Sequence, residues 1–325
     1  MNQGNSLFLF FNLVKKGDLS SAFLVLQIFF LYKYALVRRE LLFLLKKKKE
    51  IIIDNYLLKV DRFDKGISKD LLVCKKREHL SFEFVKNSLG NNEIVIDIGA
   101  NIGYYAILES KTAKKGEVYA IEPVSENFKL LKENIIANHL KNCHPKRLAI
   151  GEKAGNSQIN IYKKKNWSSF NSTLPSEIVK KEKVPVETLD GFVRKYLKKP
   201  PTFIRMDVEG HELPILLGAK KILKTAEKLR IMIEIHPHFL KDDGIKKFLT
   251  ILETNNFKIT KINLETPPII WQYRSLYNKY RKIFALLPYG TIKKENYNYK
   301  FLERLLTKKD QNRQYIYHPH VVFEK

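Results

Sequence analysis

The chain has 325 residues, and at roughly 150 residues per domain this length allows two domains, or one large domain with additions. A composition of 44% hydrophobic and 29% charged residues, with few glycines and prolines, excludes collagen, low-complexity disorder and a polytopic membrane protein. The net charge of +25 draws the chain toward acidic partners such as nucleic acid, anionic lipid or phosphorylated glycans. Two cysteines form no disulfide framework, which favours a reducing, cytoplasmic compartment.

The N-terminal residues 1–69 predict a helical extension. Residues 19–32 carry no charge, but 14 residues are fewer than the roughly 20 that span a bilayer. A lysine run, Lys46–Lys49, follows the apolar stretch Leu41–Leu45. Three interpretations stand: a helix packed on the rest of the protein with its lysines solvated, a helix at a membrane surface whose lysines meet anionic head groups, or, least favoured, a membrane span. Residues 75–89 predict a further helix.

Between residues 93 and 264, predicted strands alternate with predicted helices. The strands are expected at residues 94–96, 117–121, 146–150, 203–206, 229–235 and 257–262. The helices are expected at residues 104–108, 127–138, 212–223 and 245–254. This alternation predicts a parallel sheet with helices on both faces, and such sheets bind ligands beyond the carboxyl ends of their strands. Polar residues at those ends are therefore the candidates for a site.

The first of these strands ends in the motif Asp97-x-Gly99-x-x-x-Gly103. Glycines between a strand and a helix let the backbone approach a ligand closely. Asp97 is expected to accept hydrogen bonds from an ammonium group, and Glu122, at the end of the next strand, to accept both hydroxyls of a ribose. The glycine spacing differs from the GxGxxG of dinucleotide folds and suits S-adenosylmethionine, which has no pyrophosphate. The alternative is a tight turn that needs glycine only for packing.

Four segments in chain order resemble the FkbM-type S-adenosylmethionine-dependent methyltransferases. These segments are Val95–Tyr105, Ala120–Pro123 with Asn127 and Phe128, Val184–Asp190, and Ile204–Glu212, in which Arg205 and Met206 replace the family's commoner Lys and Ile. The resemblance covers residues 70–264. It implies an α/β class I methyltransferase fold, a Rossmann-like doubly wound sheet of seven strands with the last antiparallel. It also implies cofactor contacts by Asp97, Gly99, Ala100, Asn101, Gly103, Tyr104, Glu122, Pro123 and Asn127.

The resemblance further implies methyl transfer from S-adenosylmethionine to a hydroxyl of a saccharide, glycan or glycolipid-like acceptor. An alcohol is a weak nucleophile, so a general base is expected within hydrogen-bond reach. Asp207 is expected to be that base or to orient the acceptor, the alternative being a cap of the following helix. His211 and His236 are expected to bind the acceptor, the alternative being structural histidines. No metal is expected, because Asp207, Glu209, His211 and Glu212 are too closely spaced to share one face.

Two segments lie outside the alternating pattern. Residues 152–183 are polar and predict an irregular lid or binding loop, in which Trp167 and Phe170 stack on a sugar or pack a surface flap. A last strand, His320–Phe323, leaves residues 265–318 as a basic, Tyr-rich insertion. Its tyrosines predict an amphipathic helix on the core or a platform for an acidic acceptor; they include Tyr273, Tyr277, Tyr280 and Tyr289. The predicted units are thus residues 1–69, 70–264, 265–318 and 319–325.

Other functions remain open at this point. The positive charge and the basic-aromatic pattern also suit an RNA methyltransferase, although no [DN]PP[YFW], Pro-Cys or Thr-Cys motif occurs. A non-catalytic membrane-surface protein on a methyltransferase scaffold is disfavoured by the intact motif residues. The expected partner is a small-molecule or glycan acceptor, either acidic or lipid-linked. Peripheral membrane contact would run through the N-terminal helix, and nucleic acid is less favoured.

Overall fold

The computed structural model describes residues 14–15, 18–45, 49–64, 66–162, 168–170, 178–265, 290–310 and 313–325. Trp167 and the tyrosines Tyr273, Tyr277, Tyr280 and Tyr289 lie outside these residues, so their predicted roles stay predictions. The described part of the chain forms one large mixed sheet with helices on both faces, a three-stranded sheet beside it, and an N-terminal extension. The α/β fold expected from the sequence is therefore confirmed.

The N-terminal extension consists of a long helix, a hairpin and two short helices. These are α1 (Leu19–Leu45), β1 (Glu50–Ile53), β2 (Tyr56–Lys59), α2 (Ile67–Cys74) and α3 (His79–Ser88). The helix expected at residues 75–89 begins only at His79, because Lys75 and Glu78 adopt left-handed backbone conformations that separate α2 from α3. Of the helices described, none is long and apolar enough to cross a bilayer.

The large sheet is built from alternating strands and helices. Its first half contains β3 (Ile94–Ile98), α4 (Tyr104–Thr112), β4 (Glu117–Ile121), α5 (Ser125–Ala137) and β5 (Cys143–Lys146). The smaller sheet follows, with β6 (Ala149–Gly151), β7 (Gly155–Tyr162) and β8 (Ile178–Thr188), and then α6 (Leu189–Tyr196). The second half contains β9 (Phe203–Met206), α7 (Glu212–Leu217), α8 (Lys220–Thr225), β10 (Arg230–Glu234), α9 (Pro237–Thr254), β11 (Lys258–Leu264), β12 (Gly290–Thr291), α10 (Tyr299–Leu306) and β13 (His320–Glu324).

The strand order of the large sheet is β12-β11-β13-β10-β9-β3-β4-β5. As predicted, the last strand β13 is antiparallel, and it inserts between β10 and β11. The two-residue strand β12 adds an eighth strand to the seven expected, at the edge next to β11. From β3 the chain continues to β4 and β5 at one edge of the sheet, and from β9 it continues to β10 toward the other edge. Such a switch point opens a crevice beyond the carboxyl ends of these two neighbouring strands.

Two predictions for the middle of the chain were wrong. The third strand of the large sheet is β5, not residues 146–150, because an edge strand tolerates Pro145 and needs no apolar run. The apolar residues that suggested a strand there instead form β6 in the smaller sheet. Residues 152–183 are not wholly irregular, since β7 and β8 pair as an antiparallel hairpin. The solvated face of this hairpin makes its sequence read as polar loop.

The helix expected at residues 212–223 is two helices, α7 and α8, with Gly218 and Ala219 between them. Gly218 lies against the smaller sheet, where an added Cβ would be 2.1 Å from the backbone oxygen of Gly151. This close approach ends α7 and holds the start of the hairpin against the core. The sheet and its helices thereby form a rigid frame around the crevice.

Candidate active site

The loop between β3 and α4 lies directly on the end of β9. Gly99 and Gly103 have positive φ angles of 85° and 94°, as expected for the glycines of this motif. A Cβ at Gly99 would stand 1.9 Å from the backbone oxygen of Asp207, so no other residue allows this approach. The contact brings the predicted cofactor motif and the predicted catalytic carboxylate to one place.

A cavity of about 520 Å³ opens at this edge of the large sheet. Seven of the nine residues expected to contact the cofactor line it, namely Gly99, Ala100, Asn101, Tyr104, Glu122, Pro123 and Asn127. The three residues expected to act on the acceptor, Asp207, His211 and His236, line the same cavity. The fold therefore brings together side chains from the ends of β3, β4, β9 and β10.

Glu122 is held at one side of this cavity by the backbone. The Asn101 amide donates to Glu122 Oε2 and the Val124 amide donates to Glu122 Oε1, both at 2.9 Å. Burial raises the pKa of Glu122 to about 7, although these backbone donors oppose the shift. Asn127 Nδ2 also donates to Glu122 Oε1, at 3.5 Å, so Oε2 is the oxygen that keeps a lone pair for a ribose hydroxyl.

Asp97 and Gly103 do not line the cavity. Asp97 is fully buried, and its Oδ1 accepts a hydrogen bond from Arg205 Nη1 at 3.0 Å. Arg205 takes Oδ1, whereas Oδ2 has no hydrogen-bond partner among the described residues, so direct binding of the ammonium group by Asp97 stays a prediction. Gly103 packs closely, since an added Cβ would be 2.9 Å from the Leu131 side chain, and its contact with the cofactor stays a prediction.

Arg205 links two of the strand-end carboxylates. Its Nη2 donates to Asp207 Oδ2 at 2.9 Å, and its guanidinium carbon lies 3.8 Å from the centre of the Tyr105 ring. In the sequence, Arg205 is distinguished only because it departs from the family signature. Its pairing with Asp97 follows from the register of β3 against β9, which no local pattern shows.

The acceptor end of the cavity is organised around His236. Its Nδ1 lies 2.6 Å from Glu212 Oε1, and its Nε2 lies 3.4 Å from Glu209 Oε2. Burial lowers the pKa of His236, but Glu209 and Glu212 outweigh it and raise this pKa well above its usual range. This shift favours the imidazolium form of His236, which donates hydrogen bonds.

His211 has the opposite electrostatic character. Its ring lies 4.6 Å from the ring of Phe170, and burial lowers its pKa to about 4. Burial, with the charge of His236 added, also lowers the pKa of His238 to about 4. His318, which lines the same end of the cavity, was not identified from the sequence, because it is the last residue of the predicted insertion and no motif surrounds it. These three neutral rings are suited to hydrogen-bond or pack against a neutral ligand.

Two further carboxylates face the cavity beside Asp207. Burial, reinforced by the charge of Asp207, raises the pKa of Glu209 to about 8 and that of Glu234 to about 7. Glu209 has a positive φ of 47°, which is strained for a non-glycine residue and recurs at functional sites. No local motif distinguishes Glu234, which ends the neighbouring strand β10.

Histidines and carboxylates of this kind are also metal ligands. Asp207, Glu234 and His236 place ligand atoms within 4.8 Å of one another, and so do Glu78, Glu234 and His320. The predicted absence of a metal rests on the close spacing of residues 207–212. Glu234 is not one of these residues and joins the group from β10. Arg205 and His236 already pair with these acids, so the group also stands as a set of ion pairs. The absence of a catalytic metal stays a prediction.

Comparison with known proteins assigns the chain to a family. Residues 97–289 match the model of the methyltransferase FkbM domain, which is more than half of the chain. The chain belongs to the FkbM methyltransferase family. It is therefore a methyltransferase, and its cofactor is S-adenosylmethionine.

Individual relatives are more distant. The hexuronic acid methyltransferase AglP of Haloferax volcanii is 26% identical over 181 residues, which cover 55% of this chain and 70% of that protein. The FkbM methyltransferase structure from Methylobacillus flagellatus KT is 20% identical with a TM-score of 0.39, and the match covers 61% of this chain. The chain spans 50% of the length of that Methylobacillus protein. TYW2 of M. jannaschii, solved in complex with AdoMet, is 17% identical with a TM-score of 0.41, covering 86% of this chain and 87% of that one.

The cavity fits the cofactor in size and in chemistry. Its volume lies within the roughly 300–1,000 Å³ of small-molecule sites. Glu122 offers a carboxylate to the ribose, and the apolar side chains of Ile121, Leu148 and Ile150 line the wall beside it. Arg77 and Glu78 line the cavity near Tyr104 and offer opposite charges to an amino-acid group. We expect these residues, with Asn101 and Asn127, to hold S-adenosylmethionine.

Ligand affinity is expected to depend on the ionisation of Glu122. Ribose hydroxyls donate to the ionised carboxylate, so the affinity for S-adenosylhomocysteine should fall as the pH falls through the Glu122 pKa of about 7. Glu122→Gln should weaken binding about 10- to 100-fold and flatten this pH dependence. Calorimetric titration over a pH series measures both effects. Glu126→Gln, an exposed neighbour on α5, is the control, and an unchanged pH profile in Glu122→Gln would refute the assignment.

Proposed function

We propose that this methyltransferase transfers its methyl group to a hydroxyl of a saccharide, glycan or glycolipid-like acceptor. One observation carries the proposal: carboxylates and imidazoles of Asp207, Glu209, Glu234 and His236 border the cavity that also contains the glycine loop and Glu122. Such groups bind hydroxyls by hydrogen bonding in both directions. The similarity to a hexuronic acid methyltransferase also supports a saccharide acceptor.

The proposed roles follow from the charge of each group. The bound cofactor supplies a methyl group on a sulfonium, which is the electrophile. Asp207, whose orientation Arg205 fixes, accepts a hydrogen bond from a second hydroxyl of the acceptor and so positions the reacting hydroxyl. His236, held by Glu212, donates to a neighbouring oxygen of the acceptor. Glu209 takes the hydroxyl proton, because a carboxylate with a pKa of about 8 is a stronger base than an ordinary one.

Additional acceptor contacts are proposed on the hairpin side of the cavity. Ser168, Ser169 and Phe170 line the cavity, and Asn160 and Ser169 pair through both backbone amides. Phe170 packs on His211 and offers a flat face at the acceptor end. We propose that this face stacks on a sugar ring.

Both cysteines are free thiols, which is compatible with the cytoplasmic location that we propose.

The test is a transfer assay with methyl-labelled S-adenosylmethionine and a panel of acceptors. The panel holds neutral glycans, hexuronic-acid-containing glycans, lipid-linked saccharides, transfer RNA and ribosomal RNA. Label is expected in a saccharide fraction, as an O-methyl group that mass spectrometry locates. Labelling of RNA alone would replace the proposal with an RNA methyltransferase. Failure to bind S-adenosylhomocysteine in calorimetry would instead indicate a non-catalytic protein.

A further inference from the structure

The exposed side of α1 carries a continuous row of large apolar side chains. These six side chains, named here the α1 strip, are Leu19, Phe23, Phe30, Tyr34, Val37 and Leu41, each 55–67% exposed. Their spacings of three, four and seven residues place them on one face of the helix. At a rise of about 1.5 Å per residue the α1 strip is roughly 33 Å long.

The orientation of α1 is set by its contacts with the rest of the protein. Ala22 is buried, and Phe43 packs against the hydrophobic core that contains α2 and α3. Glu40 accepts a hydrogen bond from Lys69 of α2, and the same lysine lies over the Phe43 ring. These contacts lie on another side of the helix from the α1 strip. Packing therefore leaves the strip facing away from the protein.

An apolar surface of this length is unusual on a soluble domain. Single exposed apolar residues are common, but a contiguous row marks a surface that contacts a partner or a membrane. The other large apolar residues that are exposed in the described chain are scattered over separate elements, for example Phe63, Ile136 and Val179. The α1 strip differs from these residues because its side chains lie together on one face of one helix.

The charges around the α1 strip indicate its partner. Arg38 is exposed beside Val37, Arg39 follows it, and the run Lys46–Lys49 comes directly after the helix in the sequence. The whole chain carries a net charge of +25. A second copy of the chain would bring like charges together across such a contact, whereas an anionic lipid surface attracts them.

We propose that α1 lies in the surface of a bilayer containing anionic lipids, with the α1 strip inserted between the head groups and the exposed Arg38 and Lys49 contacting phosphate. Apolar insertion and electrostatic attraction to anionic lipids together hold a helix at a membrane surface. The proposal goes beyond the function proposed above and does not depend on the acceptor. Its test therefore measures binding and not methyl transfer.

The experiment is co-sedimentation of the full-length chain with vesicles. Vesicles of phosphatidylcholine alone are compared with vesicles that also contain phosphatidylglycerol. The protein is expected to bind the anionic vesicles, and more weakly as the salt concentration rises, because salt screens the lysine and arginine charges. A triple variant of the strip, Phe23→Ser, Phe30→Ser and Val37→Ser, is expected to reduce the partition coefficient about tenfold or more.

A matched triple variant controls for the loss of exposed apolar surface in general. Phe63→Ser, Ile136→Ser and Val179→Ser removes three exposed side chains outside α1 and is expected to bind vesicles like the wild type. Both triple variants should retain the circular dichroism spectrum and the S-adenosylhomocysteine affinity of the wild type, which separates this proposal from the active site. Equal vesicle binding by the two triple variants, or no binding by the wild type, would overturn it. A dimer that dissociates in the strip variant, without vesicle binding, would assign the strip to a second copy instead.

Discussion

Arg205→Ala is expected to destabilise the protein by about 3–5 kcal/mol, because it leaves buried carboxylates without their cation. Arg205 is almost fully buried and pairs with Asp97 at 3.0 Å and with Asp207 at 2.9 Å. Asp97 has no exposed surface, so water cannot replace the lost partner. Chemical denaturation, followed by fluorescence with and without S-adenosylhomocysteine, measures the loss.

Two controls make this prediction specific. Arg205→Lys keeps the positive charge that the family signature carries at this position, and a smaller loss is expected because a single ammonium cannot bond both carboxylates in the same geometry. In Arg205→Ala the pKa of Asp97, which burial already raises, should rise further. Protonation of Asp97 at low pH then removes the unpaired buried charge. The difference in free energy of unfolding between the variant and the wild type should therefore become smaller as the pH falls. A deficit independent of pH would show that the ion pairs are not its cause.

Glu209→Gln is expected to lower kcat by about 10²- to 10⁴-fold while the affinity for S-adenosylhomocysteine stays near the wild-type value. Glutamine has nearly the same shape as glutamate but cannot accept the acceptor's proton. In the wild type, kcat should rise as the pH rises through the Glu209 pKa of about 8, because only the ionised carboxylate is a base. The variant should lose this rise. Steady-state kinetics with the acceptor from the panel, over a pH series, measures both.

The comparison with Asp207 separates the base from the orienting group. Asp207→Asn should also lower kcat, but the rise of kcat with pH should remain, since Glu209 is still present. Glu227→Gln, an exposed carboxylate away from the cavity, is the control for a change in net charge. If Asp207→Asn abolishes the pH dependence and Glu209→Gln preserves it, the two roles are reversed.

The elements that surround the site could be predicted where buried strands leave a simple pattern. Each of β3, β4, β9 and β10 is buried on both faces, so each appears in the sequence as a short apolar run. The errors fall where that rule does not apply. The edge strand β5 contains Pro145 and lacks an apolar run, and the β7–β8 hairpin exposes one face to solvent.

The residues of the candidate site also differ in whether a local sequence pattern identifies them. The cofactor motif lies within seven consecutive residues, so its glycines and its acid could be identified directly. The position of Glu122 beside this motif could be predicted as well, because the ends of neighbouring strands in a parallel sheet lie side by side. Glu234 and His318 carry no local signal, and only their position at the same edge of the sheet distinguishes them from other polar residues.

The sequence by itself determined the family, the cofactor and the order of the central strands along the chain. These depend on apolar runs and on motifs of adjacent residues. Only the tertiary structure decided that Asp97 pairs with Arg205, that the acids following β9 and ending β10 meet at His236, and that the α1 strip faces outward. The physical reason is that a buried charge takes its character from neighbours that strand register supplies. Those neighbours lie far away along the chain.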